Sequence, residues 1–145
     1  MCTILLAESK NKKAELISLT MIKNNHQVQV VKNVAQLESL VKQNKKHFCI
    51  LLVNQNLKGG EKDFNLLKRI KKMISKRTAI IGYSKDVLGG LKLLRLGGQD
   101  FAYQNGGELP DGLIEKVNKW AVIADKENLF FDGIRRFKHE LNLSV

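Results

Sequence analysis

Five short apolar runs set the limits on what this chain can fold into: Thr3 to Ala7, Gln27 to Val31, Phe48 to Val53, Thr78 to Gly82 and Asp100 to Tyr103. Runs this short suit strands buried on both faces, and the segments between them change to helical spacing. Strand and helix in strict alternation imply right-handed crossovers with helices on both sides of a parallel sheet. The expected fold is α/β, a doubly wound five-stranded parallel sheet in three layers. Periodicity alone does not fix the strand order, but in such a sheet a site lies at the carboxyl ends of the strands.

The intervening segments support this reading. Ala14, Leu16, Ile17, Leu19 and Met21 occupy the first, and Val34, Leu37, Leu40 and Val41 follow the cap residue Asn33 in the second. Phe64, Leu66, Leu67, Ile70, Met73 and Ile74 form the third, interleaved with Lys68, Arg69, Lys71 and Lys72. The fourth, Val87 to Leu96, carries Gly89 and Gly90. Each interior glycine weakens a helix by about 1 kcal/mol, so mobility is expected there. Pro110 suits the first turn of a helix running through Leu113, Val117, Trp120, Val122 and Ile123. No proline- or glycine-rich linker divides the chain, which reads as one domain over 1–124 with an extension over 125–145.

With 145 residues, 43% of them hydrophobic and 27% charged, the chain suits one globular core. Cys2 and Cys49 suggest neither a disulfide framework nor a ligand cluster. His26, His47 and His139 stand in no metal-ligand spacing. No metal and no cofactor are therefore expected. The stretch Ile4 to Ala7 is too short for a signal peptide and no run reaches membrane-spanning length, so a cytoplasmic protein without membrane contact is expected. The formal charge of +11 favours nucleic acid, anionic lipid and acidic proteins alike. Its densest parts are Lys42, Lys45 and Lys46 and the run Lys68 to Arg77, where no interleaved aromatics support base stacking. A solvated face is the default for both.

Four segments carry a resemblance: ILLAES at Ile4 to Ser9, ILLVNQNLKGG at Ile50 to Gly60 followed by FNLLKRIK, AIIGYS at Ala79 to Ser84, and LRLGGQDFAYQ at Leu94 to Gln104. Their order and spacing resemble the receiver domains of bacterial two-component systems over residues 3 to 124. The resemblance implies the flavodoxin-like strand order 2-1-3-4-5, with the C-terminal extension as an extra helix. It also implies a place in a response-regulator or phosphorelay pathway.

Active receivers use paired acidic residues after the first strand, an acceptor Asp after the third, Ser or Thr after the fourth and Lys after the fifth. The matching positions here are Glu8 and Ser9, Asn54, Tyr83 and Gln104, and each pattern is broken. An Asn amide is a poor nucleophile at neutral pH, so Asn54 is not expected to form an acyl phosphate. Ser9 and Asn54 leave Glu8 as the one charged candidate for a hard dication. Gln104 removes the cation that would neutralise phosphoryl oxygens. The chain reads as a degenerate phosphorylation pocket with no catalytic residues, and not as an enzyme. The five side chains could also simply satisfy loop backbone groups. By the resemblance, Tyr83 and Tyr103 fill the space of the family's switch residues and fix the output face.

Function is accordingly expected through a protein partner. The resemblance implies the face made by the fourth helix, fifth strand and fifth helix, here Val87, Leu91, Lys92, Arg95, Tyr103, Lys116 and Lys119. In the extension, Phe130, Ile134, Phe137 and Leu141 recur at i, i+4, i+7 and i+11, broadened by Leu129 and Phe131. Arg135, Arg136, Lys138 and His139 lie mostly off that stripe, and Gly133 interrupts it. This basic amphipathic helix either packs on its own domain or contacts a partner, including a second copy in a homodimer. A basic nucleic-acid-associated regulator is the alternative class. An enzyme using Glu8 on an unrecognised substrate is a weaker third.

Other folds with this alternation are disfavoured. ESKNKKA after the first strand lacks the glycine of a flavodoxin phosphate loop, no Asp-x-His-x-x-Gly segment suggests cobalamin, and the glycines never take Walker or dinucleotide spacing.

Overall fold

The computed structural model describes residues 3–43, 47–59 and 66–143, the side chains at 128, 131, 142 and 143 excepted. Cys2, Lys45, Lys46, Gly60, Phe64 and the Phe131 side chain, all noted from the sequence, lie outside this description.

Strand and helix alternate as β1 (Thr3–Ala7), α1 (Asn11–Lys23), β2 (Gln27–Val31), α2 (Val34–Gln43), β3 (Ile50–Asn54), α3 (Leu67–Met73), β4 (Ala79–Ser84), α4 (Val87–Arg95), β5 (Asp100–Tyr103) and α5 (Leu113–Leu143). The strands form one parallel sheet in the order β2-β1-β3-β4-β5. Successive side chains on a strand point to opposite faces, so the sheet builds two cores. Ile4, Leu6, Ile50, Leu52, Ile81 and Tyr83 pack under Ala14, Ile17 and Met21 of α1 and Leu113, Val117 and Ala121 of α5. Leu5, Ala7, Leu51, Val53 and Ile80 pack under Leu37 and Val41 of α2, Leu67 and Ile70 of α3 and Leu93 of α4.

Four strand ends depart from the hydrophobic pattern, one of them the start of β4 at Ala79, one residue after Thr78. β3 begins at Ile50, two residues after the apolar run starts, and ends on Asn54; β4 continues past Gly82 to Ser84. The backbone ladder explains the extension, because Asn54 pairs with Tyr83 at the end of the register. Hydrogen bonding carries the strand beyond its greasy part and delivers two polar side chains to the sheet's carboxyl end. Asn33 caps α2 as expected, its Oδ1 accepting from the Gln36 N–H at 2.8 Å.

Pro110 stands outside α5. It precedes the turn of Asp111 and Gly112, and Gly112 has φ +65°, which no right-handed helix continues, so α5 starts at Leu113. Cys49 is disulfide-bonded, against the expectation of two cysteines without a framework. Sequence distance hid this: the parallel pairing of β1 with β3 sets the Cys49 N–H 3.1 Å from the Thr3 carbonyl oxygen, beside the N-terminal end of β1.

α4 is built inside out. Gly89 and Gly90 are buried, while Val87, Leu88, Leu91 and Leu94 are 62%, 62%, 55% and 51% exposed. A Cβ on Gly90 would lie 2.8 Å from the Phe101 ring, and one on Gly89 2.8 Å from Gln55 Oε1. The glycines that looked like weak points let the helix backbone settle onto β5 and the end of β3. Asp86 caps it, accepting from the Leu88 N–H at 3.0 Å.

Candidate functional site

Glu8 directly follows β1 and continues the face of Ile4 and Leu6, so it points towards α1 and α5, the side on which Tyr83 lies. Asn54 and Tyr83 are register partners on adjacent strands. Three sequence-distant side chains thereby converge at the carboxyl end of the sheet.

Glu8 is 1% exposed and Tyr83 wholly buried. The Tyr83 hydroxyl donates to Glu8 Oε1 at 2.7 Å, and Asn54 Nδ2 donates to the same oxygen at 2.9 Å. Glu8 Oε2 accepts from the Lys10 N–H at 3.1 Å. The sequence offered no sign of Lys13, which reaches in from the first turns of α1: its Nζ lies 4.0 Å from Glu8 Oε1 and 5.2 Å from the centre of the Tyr83 ring. Gln104 does not supply a cation, but α1 does. Burial, the Glu8 charge and its hydrogen bond push the Tyr83 phenol well above its ordinary value, so it stands as a neutral donor. Burial lowers Lys13, opposed by the Glu8 charge.

The other two pocket residues face elsewhere. Ser9 Oγ accepts from the Lys58 N–H at 2.7 Å, tying the β1 end to the loop after β3. Gln104 is buried and donates from Nε2 to the Gly107 carbonyl at 3.3 Å, while its Oε1 has no hydrogen-bond partner among the described residues. A second pair that the sequence did not reveal lies beside them, where the Ser84 hydroxyl donates to Gln55 Oε1. The signal for this pair was strand length. With β4 running to Ser84 and β3 to Asn54, the residues at and just beyond each end become neighbours.

The chemistry open to this cluster is narrow. A magnesium ion of the kind the receiver fold implies asks for several hard, anionic oxygens. Glu8 Oε1 already accepts two hydrogen bonds beside an ammonium, Asn54 Oδ1 accepts from the Asn56 N–H at 3.0 Å, and Ser9 Oγ is engaged. The donor set does not fit a divalent cation.

The face named from the resemblance is present at the surface. Val87, Leu91, Lys92, Arg95 and Lys119 are exposed, and Tyr103 and Lys116 are half-buried. The apolar share of that surface is larger than expected, because Leu88 and Leu94 join it. Phe130, Ile134, Phe137 and Leu141 lie on the continuation of α5 itself, with Leu129 73%, Phe130 64%, Phe137 61% and Leu141 49% exposed and Ile134 half-buried. That half of the helix does not fold back as a separate packed element. Gly133 does not break it. Trp120 Nε1 donates to Asp100 Oδ2 at 3.0 Å and fixes how α5 sits on the sheet. His26 Nε2 pairs with Asn118 Oδ1 at 2.8 Å, a structural contact between α5 and the turn before β2. Among the described residues no group of three or more His, Cys, Asp or Glu gathers as a metal site, and no helix is long and apolar enough to cross a membrane.

No protein-family model matches the sequence. No curated protein matches it either. Solved structures do: the receiver domain protein (CheY-like) from Methanospirillum hungatei superposes with a TM-score of 0.73 at 14% identity, covering 88% of this chain and 98% of that one. The receiver domain of Francisella response regulator 1452 gives 0.69 at 20% identity, covering 83% and 96%. NtrX from Brucella abortus, solved with ADP, gives 0.73 at 16% identity over 90% of this chain, which spans 28% of the NtrX chain. The fold is that of response-regulator receiver domains. In this chain the carboxyl end of that sheet carries the Tyr83–Glu8 hydrogen bond.

Proposed function

We propose that this chain is a pseudo-receiver, a two-component-type signalling or scaffold domain that takes no phosphoryl group and acts through protein contacts. One observation carries the reading: where the fold's reactive carboxylate would stand, the Asn54 amide is hydrogen-bonded to a Glu8 carboxylate that Tyr83 also holds. The nucleophile is missing and the neighbouring acid is occupied. Residues 1–124 are the receiver-like part and 125–145 its extension.

The partner meets the chain at α4, β5 and α5. Glycine-mediated close packing turns the apolar residues of α4 outward, and Lys92, Arg95, Lys116 and Lys119 frame them, so an acidic protein surface with an apolar centre fits best. Capture from the native cell with the wild type and with Leu91→Lys and Leu94→Lys, in high salt, tests this. A partner retained by the wild type and lost with the variants supports the reading; a partner indifferent to both changes contradicts it.

The charge of +11 favours a nucleic-acid role as the second reading. Binding to duplex DNA or RNA at physiological salt, with an affinity falling steeply as salt rises, would favour it.

A further inference from the structure

From the two halves of α5 we infer that the chain forms an antiparallel homodimer through the C-terminal half of this helix. The proposal concerns a different surface from α4 and holds whether or not the phosphorylation pocket is dead.

α5 has two apolar faces. Leu113, Val117, Ala121 and Ala124 are buried against the sheet. At about 100° per residue, Phe130, Ile134, Phe137 and Leu141 are centred about 130° around the helix from that line. The stripe is therefore no continuation of the packing face, and Phe130, Phe137 and Leu141 remain 64%, 61% and 49% exposed. Its spacing of four, three and four residues is the 3.5-residue repeat of a coiled-coil seam, a pattern a helix of the same sequence matches. Ile134 and Phe137 form its centre.

Charge selects the partner and the direction. Over 125–145 the basic residues Lys126, Arg135, Arg136 and Lys138 are balanced by Asp125, Glu127, Asp132 and Glu140, so the whole +11 belongs to the preceding body. The extension, basic when its positive residues alone are read, is neutral in sum once these acids are counted, so two tails can meet, whereas two strongly positive bodies repel. An antiparallel pairing sets Ile134 against Phe137 of the other copy and Phe130 against Leu141, twice over by symmetry. It holds the bodies about 35 Å apart along the paired helices at 1.5 Å per residue, well beyond the Debye length of about 8 Å. A parallel pairing would press them together and stack each Phe on its equivalent. Large apolar side chains bury about 150–250 Å² each when aromatic, so four per copy remove on the order of 1,000 Å² in total, the lower bound for a specific interface. A weak, concentration-dependent dimer is the expected strength.

Sedimentation velocity of the full chain over a concentration series, with small-angle scattering of the dimer, tests this. Expected are a monomer–dimer equilibrium, an extended two-lobed dimer, and at least a tenfold weaker association in both Ile134→Lys and Phe137→Lys with the thermal transition of the body unchanged. Leu91→Lys on α4 should leave the equilibrium as it is. A monomer at every concentration, a dimer untouched by the two tail variants, one abolished by Leu91→Lys, or a compact side-by-side dimer would each overturn the proposal.

Discussion

The hydroxyl of Tyr83 and the carboxylate of Glu8 meet at 2.7 Å in the mouth of the sheet, joining the ends of β1 and β4 across the intervening β3. Both side chains are almost entirely out of water; the Tyr83 hydroxyl is satisfied by Glu8, and Glu8 is satisfied by Tyr83 together with Asn54 and the Lys10 N–H. On the pseudo-receiver reading proposed above, this contact takes up the one carboxylate at the mouth of the sheet on which phosphoryl chemistry would depend.

Removing the hydroxyl tests that contact. Tyr83→Phe keeps the ring but leaves Glu8 Oε1 short of a donor, and should cost about 1–3 kcal/mol in a denaturant titration. Much smaller loss would mean the bond contributes little.

The same residue sets an alkaline limit. A phenol held above its ordinary value favours the neutral form in the native state. That contribution is fully present below about pH 10, where the unfolded phenol is neutral as well, and is lost as pH rises from there through the native value. In an ultraviolet titration of this chain's two tyrosines, one phenolate should therefore form only with unfolding, and that step should vanish in Tyr83→Phe.

On the proposed reading, placing a carboxylate at position 54 should not create a phosphoryl acceptor. Asn54→Asp replaces the donor now 2.9 Å from Glu8 Oε1 by a second acid. One of the pair must then hold a proton, its native pKa raised, so the stability penalty should be small at pH 5 and grow as the pH rises to 8. Denaturation midpoints at the two values check the slope; a variant equally stable at both contradicts the proximity.

Two glycines in helices should respond in opposite senses. Gly90→Ala places a methyl group 2.8 Å from the Phe101 ring, and overpacking should cost about 1–3 kcal/mol despite the gain in helix propensity. Gly133→Ala meets nothing within 4 Å and should stabilise α5 by about 0.5–1 kcal/mol. Thermal melts of the two variants separate close packing from propensity.

The alternation of apolar runs was enough to read the architecture, because burying strands on both faces leaves no other use for such runs, and the order of the strands came from the matched segments. The pocket was half legible. Glu8, Asn54 and Tyr83 could be placed at strand ends, but Lys13 approaches from a helix, and no periodicity reports which way a long side chain reaches. Gly89 and Gly90 read as weakness, since propensity sees the helix alone and not Phe101 beneath it. The Cys49 disulfide depends on strand register, which a linear spacing does not reveal. The extension showed its stripe plainly; that the stripe lies off the packing line of α5 emerged only with Leu113, Val117, Ala121 and Ala124 seen buried against the sheet.

The most direct measurement is the intact mass of the purified chain after incubation with acetyl phosphate and magnesium, and separately with a phosphorylated histidine kinase. No mass increase is expected, for the wild type or for Asn54→Asp, because Tyr83 and Lys13 already occupy the carboxylate that would help bind the metal. A hydroxylamine-sensitive phosphoryl group on the wild-type chain, mapped to the mouth of the sheet, would contradict the central claim.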